Sequence, residues 1–304
     1  MDPIIVLFGF GIGLLVGMTG MGGGSLMTPL LILIFGVEPV TAVGTDIFYG
    51  AVTKTVGGWR HLKQHTVHRG IAFWLAVGSV PSAIAGVWVI EILQKTYGED
   101  DVNQLVLGAI GAALLVVGIA TLVRGTFLRE MIPERYAMHL YRRHIIAAVV
   151  TGAITGFVIG LTSAGSGTVI AIVLIAVFRL TPQRVVGTDV FHAAVLLWAA
   201  GTAHWIGGNI DFGLAGNILV GSIPGVLIGA HIAVRAPQGL ILIALGMVMV
   251  AAAITLLTKY KPPTEILIPA LMIAALSIAA LLTFQVIASR GGLRDRTRAE
   301  PTGA

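Results

Sequence analysis

Two copies of a Gly-Thr-Asp motif place carboxylates inside long apolar stretches of this chain. The first copy ends at Asp46 and the second at Asp189, each about two turns into a predicted helix. A carboxylate in such a setting is costly and is therefore a candidate for function. One interpretation is proton coupling, or contact with a substrate through the adjacent Thr45 and Thr188. The other is structural, with each aspartate accepting hydrogen bonds from a neighbouring segment and holding it in place.

A lone cation and two polar ring side chains follow the same motifs. Lys54 lies near the middle of its predicted helix, where the second copy has leucine. It is a candidate counter-charge for an anion, a partner for an aspartate, or a lysine that reaches the edge of the membrane. Tyr49 and His192 hold equivalent positions one turn after the aspartates and either contact a cavity or pack at an interface. A histidine cluster at 61–68 contains no carboxylate, so we predict no metal site.

Glycine-rich segments interrupt two apolar stretches, 4–35 and 145–178, each roughly 50 Å long as one helix and so too long for one crossing. Irregular backbone at membrane depth occurs where it is buried in protein or lines a cavity, and the helix start that follows can bind an anion. The alternative is close helix packing through small residues. The predicted substrate-binding residues are Gly22, Gly23, Gly24, Ser25, Thr45, Gly165, Ser166, Gly167, Thr168 and Thr188.

The motifs recur because the chain contains an internal duplication. An offset of 143 residues carries Gly44 onto Gly187, and no gap is needed from about residue 9 to residue 235. If both interrupted stretches are re-entrant hairpins, nearly all basic loops fall on one side of the membrane, as the positive-inside rule requires. If both stretches instead cross the membrane, the basic tail falls on the side opposite to the other basic loops. We therefore favour hairpins, which leave three crossings in each half and give an inverted repeat.

Composition excludes several classes of protein. The chain is 56% hydrophobic and 11% charged, whereas a soluble domain has roughly 25% charged residues. The net charge of +5 comes from basic residues between apolar segments, which is typical of cytoplasmic loops and does not indicate nucleic-acid binding. Without cysteine there is no disulfide or thiolate site. The serines and histidines form no nucleophile–base pattern, so we expect neither an enzyme nor a cofactor.

These observations predict an all-α integral membrane protein built as an inverted repeat. Each unit has a re-entrant or broken helix and three transmembrane helices, and one extra helix follows at the C-terminus. The predicted regions are a first repeat (1–123), a basic cytoplasmic linker (124–143), a second repeat (144–257), an additional helix (258–288) and a disordered cytoplasmic tail (289–304).

The paired motifs resemble the sulfite exporter TauE/SafE family. The resemblance is carried by 17–25 with Pro29 and by 42–46 in the first half, and by 160–168 and 186–189 in the second. It covers about residues 4–257. Members are integral membrane proteins associated with sulfite, sulfonates, sulfoacetate and other sulfur-containing anions.

The resemblance implies a transporter of such anions in the bacterial inner membrane, as a monomer or homodimer in the lipid bilayer. Export is the expected direction, because an inside-negative potential favours anion exit by about 2.3 kcal/mol per charge per 100 mV. The alternative is a proton- or sodium-coupled importer of a sulfur anion or an organic acid, with Asp46 and Asp189 as the carriers of the coupled ion.

Overall fold

A computed structural model of the protein describes residues 2–19, 24–126, 141–164, 167–233 and 238–261. The described part is helical, without strands, and most of the predicted linker, the additional helix and the tail lie outside it. The ten helices are α1 (Pro3–Thr19), α2 (Gly24–Phe35), α3 (Pro39–Lys63), α4 (Arg69–Tyr97), α5 (Glu99–Thr126), α6 (Arg142–Thr162), α7 (Thr168–Ala176), α8 (Pro182–Ile206), α9 (Phe212–Ala233) and α10 (Gln238–Lys259).

Six of these helices, α4, α5, α6, α8, α9 and α10, are long and apolar enough to cross a membrane. A crossing needs about 20 apolar residues, which each of them approaches or exceeds. The helix α3 has 25 residues but includes Asp46, Lys54 and a basic last turn. The helices α1 and α2 are apolar and shorter. The prediction of an all-α, multi-pass membrane protein is therefore confirmed.

The duplication in the sequence is preserved in the helix boundaries. The helices α3 and α8 both have 25 residues and both begin with a proline in the first turn, where the missing N–H costs no hydrogen bond. The offset of 143 residues relates both ends of α3 to those of α8. The residues that follow are also equivalent: His65 and Gly208 both have left-handed backbone, with φ of 55° and 75°.

Each half of the chain packs mainly against the other half. The principal pairs are α1 with α9, α4 with α6, α3 with α8 and α5 with α10. The first two pairs are equivalent, because Gly9 lies against Ile218 and the equivalent Gly152 lies against Leu75. In these pairs glycines bring the two backbones close together, as small residues do in membrane helices. The halves are therefore interlocked and do not form separate lobes.

The direction of the helices differs between pairs. In α1 and α9 the contacts advance together, from Gly9 with Ile218 to Gly13 with Ser222, so these helices are parallel. In α3 and α8 the contacts run in opposite directions, from Gly50 beside Leu197 to Gly58 beside Phe191. The pair α5 and α10 is also antiparallel. The helices α3 and α8, and likewise α5 and α10, are equivalent in the duplication and point in opposite directions.

In each interrupted stretch, a ring contact joins the first helix to the end of the second. The ring of Phe8 in α1 meets that of Phe35 at the end of α2, with centroids 4.9 Å apart. We call this the first end; it also holds the starts of α3 and α9, since Asp211 donates its N–H to Thr45 Oγ1 at 3.0 Å. At the opposite, second end, His144 near the start of α6 meets Phe178 just after α7.

The packing of α1 against α9 gives a test with a matched control. A Cβ atom added at Gly13 would overlap the backbone of Ser222, whereas one added at Gly11 would meet open space. We expect Gly13→Ala to lower the free energy of unfolding by about 1–3 kcal/mol, as overpacking does. We expect Gly11→Ala to leave it unchanged or slightly higher, because alanine favours helix. Thermal melting of the purified variants measures both; equal melting temperatures would contradict this packing.

Candidate functional site

Asp46 connects the two interrupted stretches of the chain. Its Oδ2 accepts a hydrogen bond from Thr28 Oγ1 in α2 at 2.5 Å and another from Ser163 Oγ, just after α6, at 2.9 Å. Asp46 is 1% exposed and lies about 10 Å along α3 from Pro39, well inside the bundle. The α2 arm of the first half and the end of α6 in the second half therefore meet at one carboxylate.

The second interruption begins with a sharp turn at the end of α6. Ser163 has a φ of 57°, in the left-handed region, and its N–H donates to the Ile159 carbonyl at 2.8 Å. The helix α7 begins at Thr168, whose Oγ1 lies 3.2 Å from Thr121 Oγ1 of α5. Gly167 precedes it as the N-cap residue. The start of α7 is thus buried against α5, with its first N–H groups directed towards the interruption.

Lys54 and Asp189 form the charged part of the same interior. Lys54 is 6% exposed and Asp189 4% exposed. The ammonium of Lys54 interacts electrostatically with both Asp189 and Asp46. The residue equivalent to Lys54 in the second half is Leu197, so the duplication is broken at this position. Lys54 is therefore buried near both aspartates and does not reach the edge of the membrane.

Tyr49 and His192 make equivalent contacts in the two halves. His192 Nε2 lies 2.8 Å from Ser79 Oγ of α4, and the Tyr49 hydroxyl lies next to Ser222 of α9. The two serines are themselves related by the offset of 143 residues. Both ring side chains are fully buried. They link the central helices α3 and α8 to the outer pairs.

Thr45 and Thr188 lie at opposite ends of the bundle. Thr45 accepts the N–H of Asp211 before α9, and Thr188 Oγ1 accepts the N–H of His68 before α4 at 2.9 Å. Because α3 and α8 are antiparallel, the two hydroxyls are separated by about 20 Å along the helix axis. Each stabilises the start of a helix, and the structure does not bring the pair together.

His68 has a structural role at the second end. It is the N-cap residue of α4, and its Nδ1 accepts the N–H of Ile71 at 3.3 Å. Burial lowers the pKa of His68, and the positive charge of Arg184 lowers it further, so the neutral form is present at pH 7.

No group of three His, Asp or Glu side chains within the described residues is arranged to hold a metal ion.

Several predicted site residues lie where the structure gives no description. Gly22, Gly23, Gly165 and Ser166 fall outside the described residues, and Gly24 and Ser25 open α2. Sequence analysis did not select Thr28 or Ser163, the two partners of Asp46. Thr28 has a signal in the duplication, since the equivalent residue is Ala171 and the hydroxyl occurs in one half only.

Comparison with known proteins agrees with these features. Residues 5–256 match the family described as sulfite exporter TauE/SafE. The chain is 37% identical over 252 residues to the probable membrane transporter protein YjnA of Bacillus subtilis, covering 83% of this chain and 98% of that protein.

Two further relatives match over different lengths. The probable membrane transporter protein YdhB of Bacillus subtilis is 27% identical, over 84% of this chain and 99% of that protein. The sulfite exporter TauE/SafE family protein 2 of Arabidopsis thaliana is 27% identical over 38% of this chain and 25% of that protein. No solved structure matches the chain. The chain belongs to the TauE/SafE sulfite exporter family and is a membrane transporter.

Proposed function

We propose that the protein transports small sulfur-containing oxyanions of the sulfite, sulfonate and sulfoacetate class across the bacterial inner membrane. The observation that carries this proposal is the position of Asp46, which holds Thr28 of one interrupted stretch and Ser163 of the other. The described residues that flank the two interruptions therefore meet deep in the bundle, where irregular backbone serves a cavity or a ligand. Membership of the TauE/SafE family supplies the class of substrate.

The chemistry of the two interruptions suits such an anion. Each is followed by a helix start, at Gly24 and at Thr168, with free N–H groups and the positive end of the helix dipole. A sulfur oxyanion has several acceptor oxygens and can take N–H and hydroxyl donors from both sides. The Lys54 ammonium supplies positive charge in the same interior. These groups, together with the predicted Gly-rich residues of both halves, form the proposed substrate site.

The proposed arrangement in the membrane is an inverted repeat with two re-entrant hairpins. Its support is geometric: equivalent helices α3 and α8 are antiparallel, and Phe8 meets Phe35 at the end of the bundle where α1 begins. A hairpin returns to its starting side, whereas a broken crossing helix ends on the other. Basic loops then collect on the cytoplasmic side.

Labelling of single cysteines tests this topology without background, because the chain contains no cysteine. We expect a cysteine at Asp2 or Asp100 to react from outside the cell. Cysteines at Lys63, Ala137 and Thr302 should react only after the membrane is made permeable. The measurement is reaction with an impermeant maleimide in intact cells. Labelling of positions 2 and 63 from the same face would contradict the hairpin arrangement.

The direction of anion transport distinguishes two forms of the proposal, export and import. Export needs no coupled ion, since an inside-negative potential favours anion exit by about 2.3 kcal/mol per charge per 100 mV. The buried carboxylates Asp46 and Asp189 favour the second candidate, an importer coupled to protons or sodium, because such side chains mark ion pathways in membrane proteins.

Anion counterflow in proteoliposomes tests the proposed function. Purified protein is reconstituted, loaded with unlabelled anion and exposed to labelled sulfite, a sulfonate, thiosulfate or acetate. We expect exchange of at least one sulfur oxyanion and little exchange of acetate. Clamping the membrane potential at zero should slow net export but not exchange. Equal exchange in empty liposomes, or preference for acetate, would contradict the assigned substrate class.

A further inference from the structure

We infer that Asp46, Thr28 and Ser163 form a binding site for a sodium ion that moves with the transported anion. This inference rests on the proposed anion transport and selects the form in which anion import is coupled to an ion. Sodium is a hard cation that is bound by oxygen atoms. The three side chains offer a carboxylate and two hydroxyls, and each is at most 2% exposed.

The oxygen atoms of this site retain the capacity to bind an ion. Asp46 Oδ2 accepts both hydroxyl protons, whereas the buried Oδ1 has no hydrogen-bond partner among the described residues. A hydroxyl that donates its proton to a carboxylate keeps its lone pairs for a cation. A buried charged oxygen without a partner is costly, and a bound cation removes that cost.

The end of α6 adds negative potential at the same place. The last turn of a helix has carbonyl oxygens without intrahelical partners and carries the negative end of the dipole. The helix α6 ends at Thr162, and the next residue, Ser163, bonds directly to Asp46. A helix C-terminus and a carboxylate repel each other unless a cation lies between them. Ends of interrupted helices bind sodium in other membrane transporters for this reason.

The duplication supplies an independent argument. The ammonium of Lys54 interacts electrostatically with both Asp189 and Asp46. The position equivalent to Lys54 is Leu197, which lies against Gly50 one turn from Asp46 and supplies no charge. One tethered cation therefore faces two buried carboxylates. The second carboxylate is balanced by an exchangeable cation at Asp46, where the Thr28 hydroxyl is present, and not at Asp189, where the residue equivalent to Thr28 is Ala171.

Binding of ²²Na⁺ to the purified full-length protein tests the site directly. We expect saturable binding of one ion per chain, measured with choline as the replacement cation. Asp46→Asn should abolish it, and Thr28→Ala or Ser163→Ala should weaken it about 2- to 12-fold, the effect of one hydroxyl contact. Thr55→Ala is the matched control, because that hydroxyl bonds within α3 and to Trp198 instead.

A second variant tests the argument from the duplication. Leu197→Lys places a second ammonium at the position equivalent to Lys54, so ²²Na⁺ binding should be lost although Asp46, Thr28 and Ser163 are intact. Leu197→Met, of similar volume, should bind sodium as the natural chain does. Elution as a single peak on size exclusion verifies that both variants are folded. Undiminished sodium binding by a folded Leu197→Lys protein would overturn the inferred site.

The outcomes separate this inference from the proposed function. Anion counterflow without any ²²Na⁺ binding by the folded natural chain would overturn the sodium site and leave anion transport standing. If acid stabilises the folded protein and sodium does not, the sodium site is also overturned, and the coupled ion is a proton. Sodium binding that is lost in Asp46→Asn, without movement of any anion tested, would support the site and contradict the proposed substrate class. Sodium-driven anion uptake that is lost in Asp46→Asn is the expected result.

Discussion

Replacing Lys54 by methionine should lower the melting temperature of the purified protein by about 10 °C, the largest stability effect we expect from one side chain. Lys54 is buried and interacts electrostatically with Asp189 and Asp46. Its removal leaves carboxylates in the interior without that cation, and loss of one partner of a buried pair costs about 3–5 kcal/mol. Thermal melting followed by tryptophan fluorescence measures the change.

The double variant identifies the partner of Lys54. Adding Asp189→Asn to Lys54→Met should restore part of the lost stability, because one of the two carboxylates that faced the ammonium is then neutral. Lys95→Met, at an exposed position near the end of α4, is the control and should melt like the natural chain. Normal melting of Lys54→Met, with no effect of Asp189→Asn, would instead indicate an ammonium that reaches water at the membrane edge.

Replacing Gly167 by valine should abolish anion transport while the protein still inserts into the membrane. Gly167 is buried and immediately precedes α7, so a branched side chain there would block the approach of an anion to the first N–H groups of the helix. We expect the same of Gly23→Val in the first half. Thr168→Ala and Ser25→Ala should weaken binding only about 2- to 12-fold, since each removes one hydroxyl and leaves the backbone donors.

A control on α9 separates an effect on the site from an effect on packing. Gly216 is exposed, and a Cβ atom there would meet open space, so Gly216→Val should transport normally. Melting of each variant with and without the anion completes the test. A folded Gly167→Val protein that the anion stabilises as much as the natural chain would remove Gly167 from the site. Valine would then act through helix packing alone.

Much of the architecture follows from local sequence features. Apolar stretches of about 20 residues predict membrane helices, and the first-turn prolines mark the starts of α3 and α8. Pro39 and Pro182 are the first residues of these two helices. The glycine-rich breaks were also identifiable, because each interrupts a stretch too long for one crossing. These features depend on residues close together in the chain, so no knowledge of the fold is needed to find them.

Site geometry depended on contacts between distant residues. The sequence placed Thr45 and Thr188 beside one substrate, but their hydroxyls accept backbone N–H groups at opposite ends of the bundle. It selected Asp46 but not Ser163, which lies 117 residues away in the chain. The offset shows that residues are equivalent, yet equivalent residues need not be neighbours. Antiparallel packing of α3 and α8 separates Thr45 from Thr188 for that reason.

The sequence by itself determined the duplication, the membrane helices, the breaks within them and the family. Tertiary structure alone decided that α1 packs on α9 and α4 on α6, each across the boundary between the halves. It also decided which hydroxyls reach Asp46 and that Lys54 is buried near both aspartates. The physical reason is that helix formation depends on local composition, whereas helix pairing depends on the shapes of surfaces, here glycine faces, that meet only in the folded bundle.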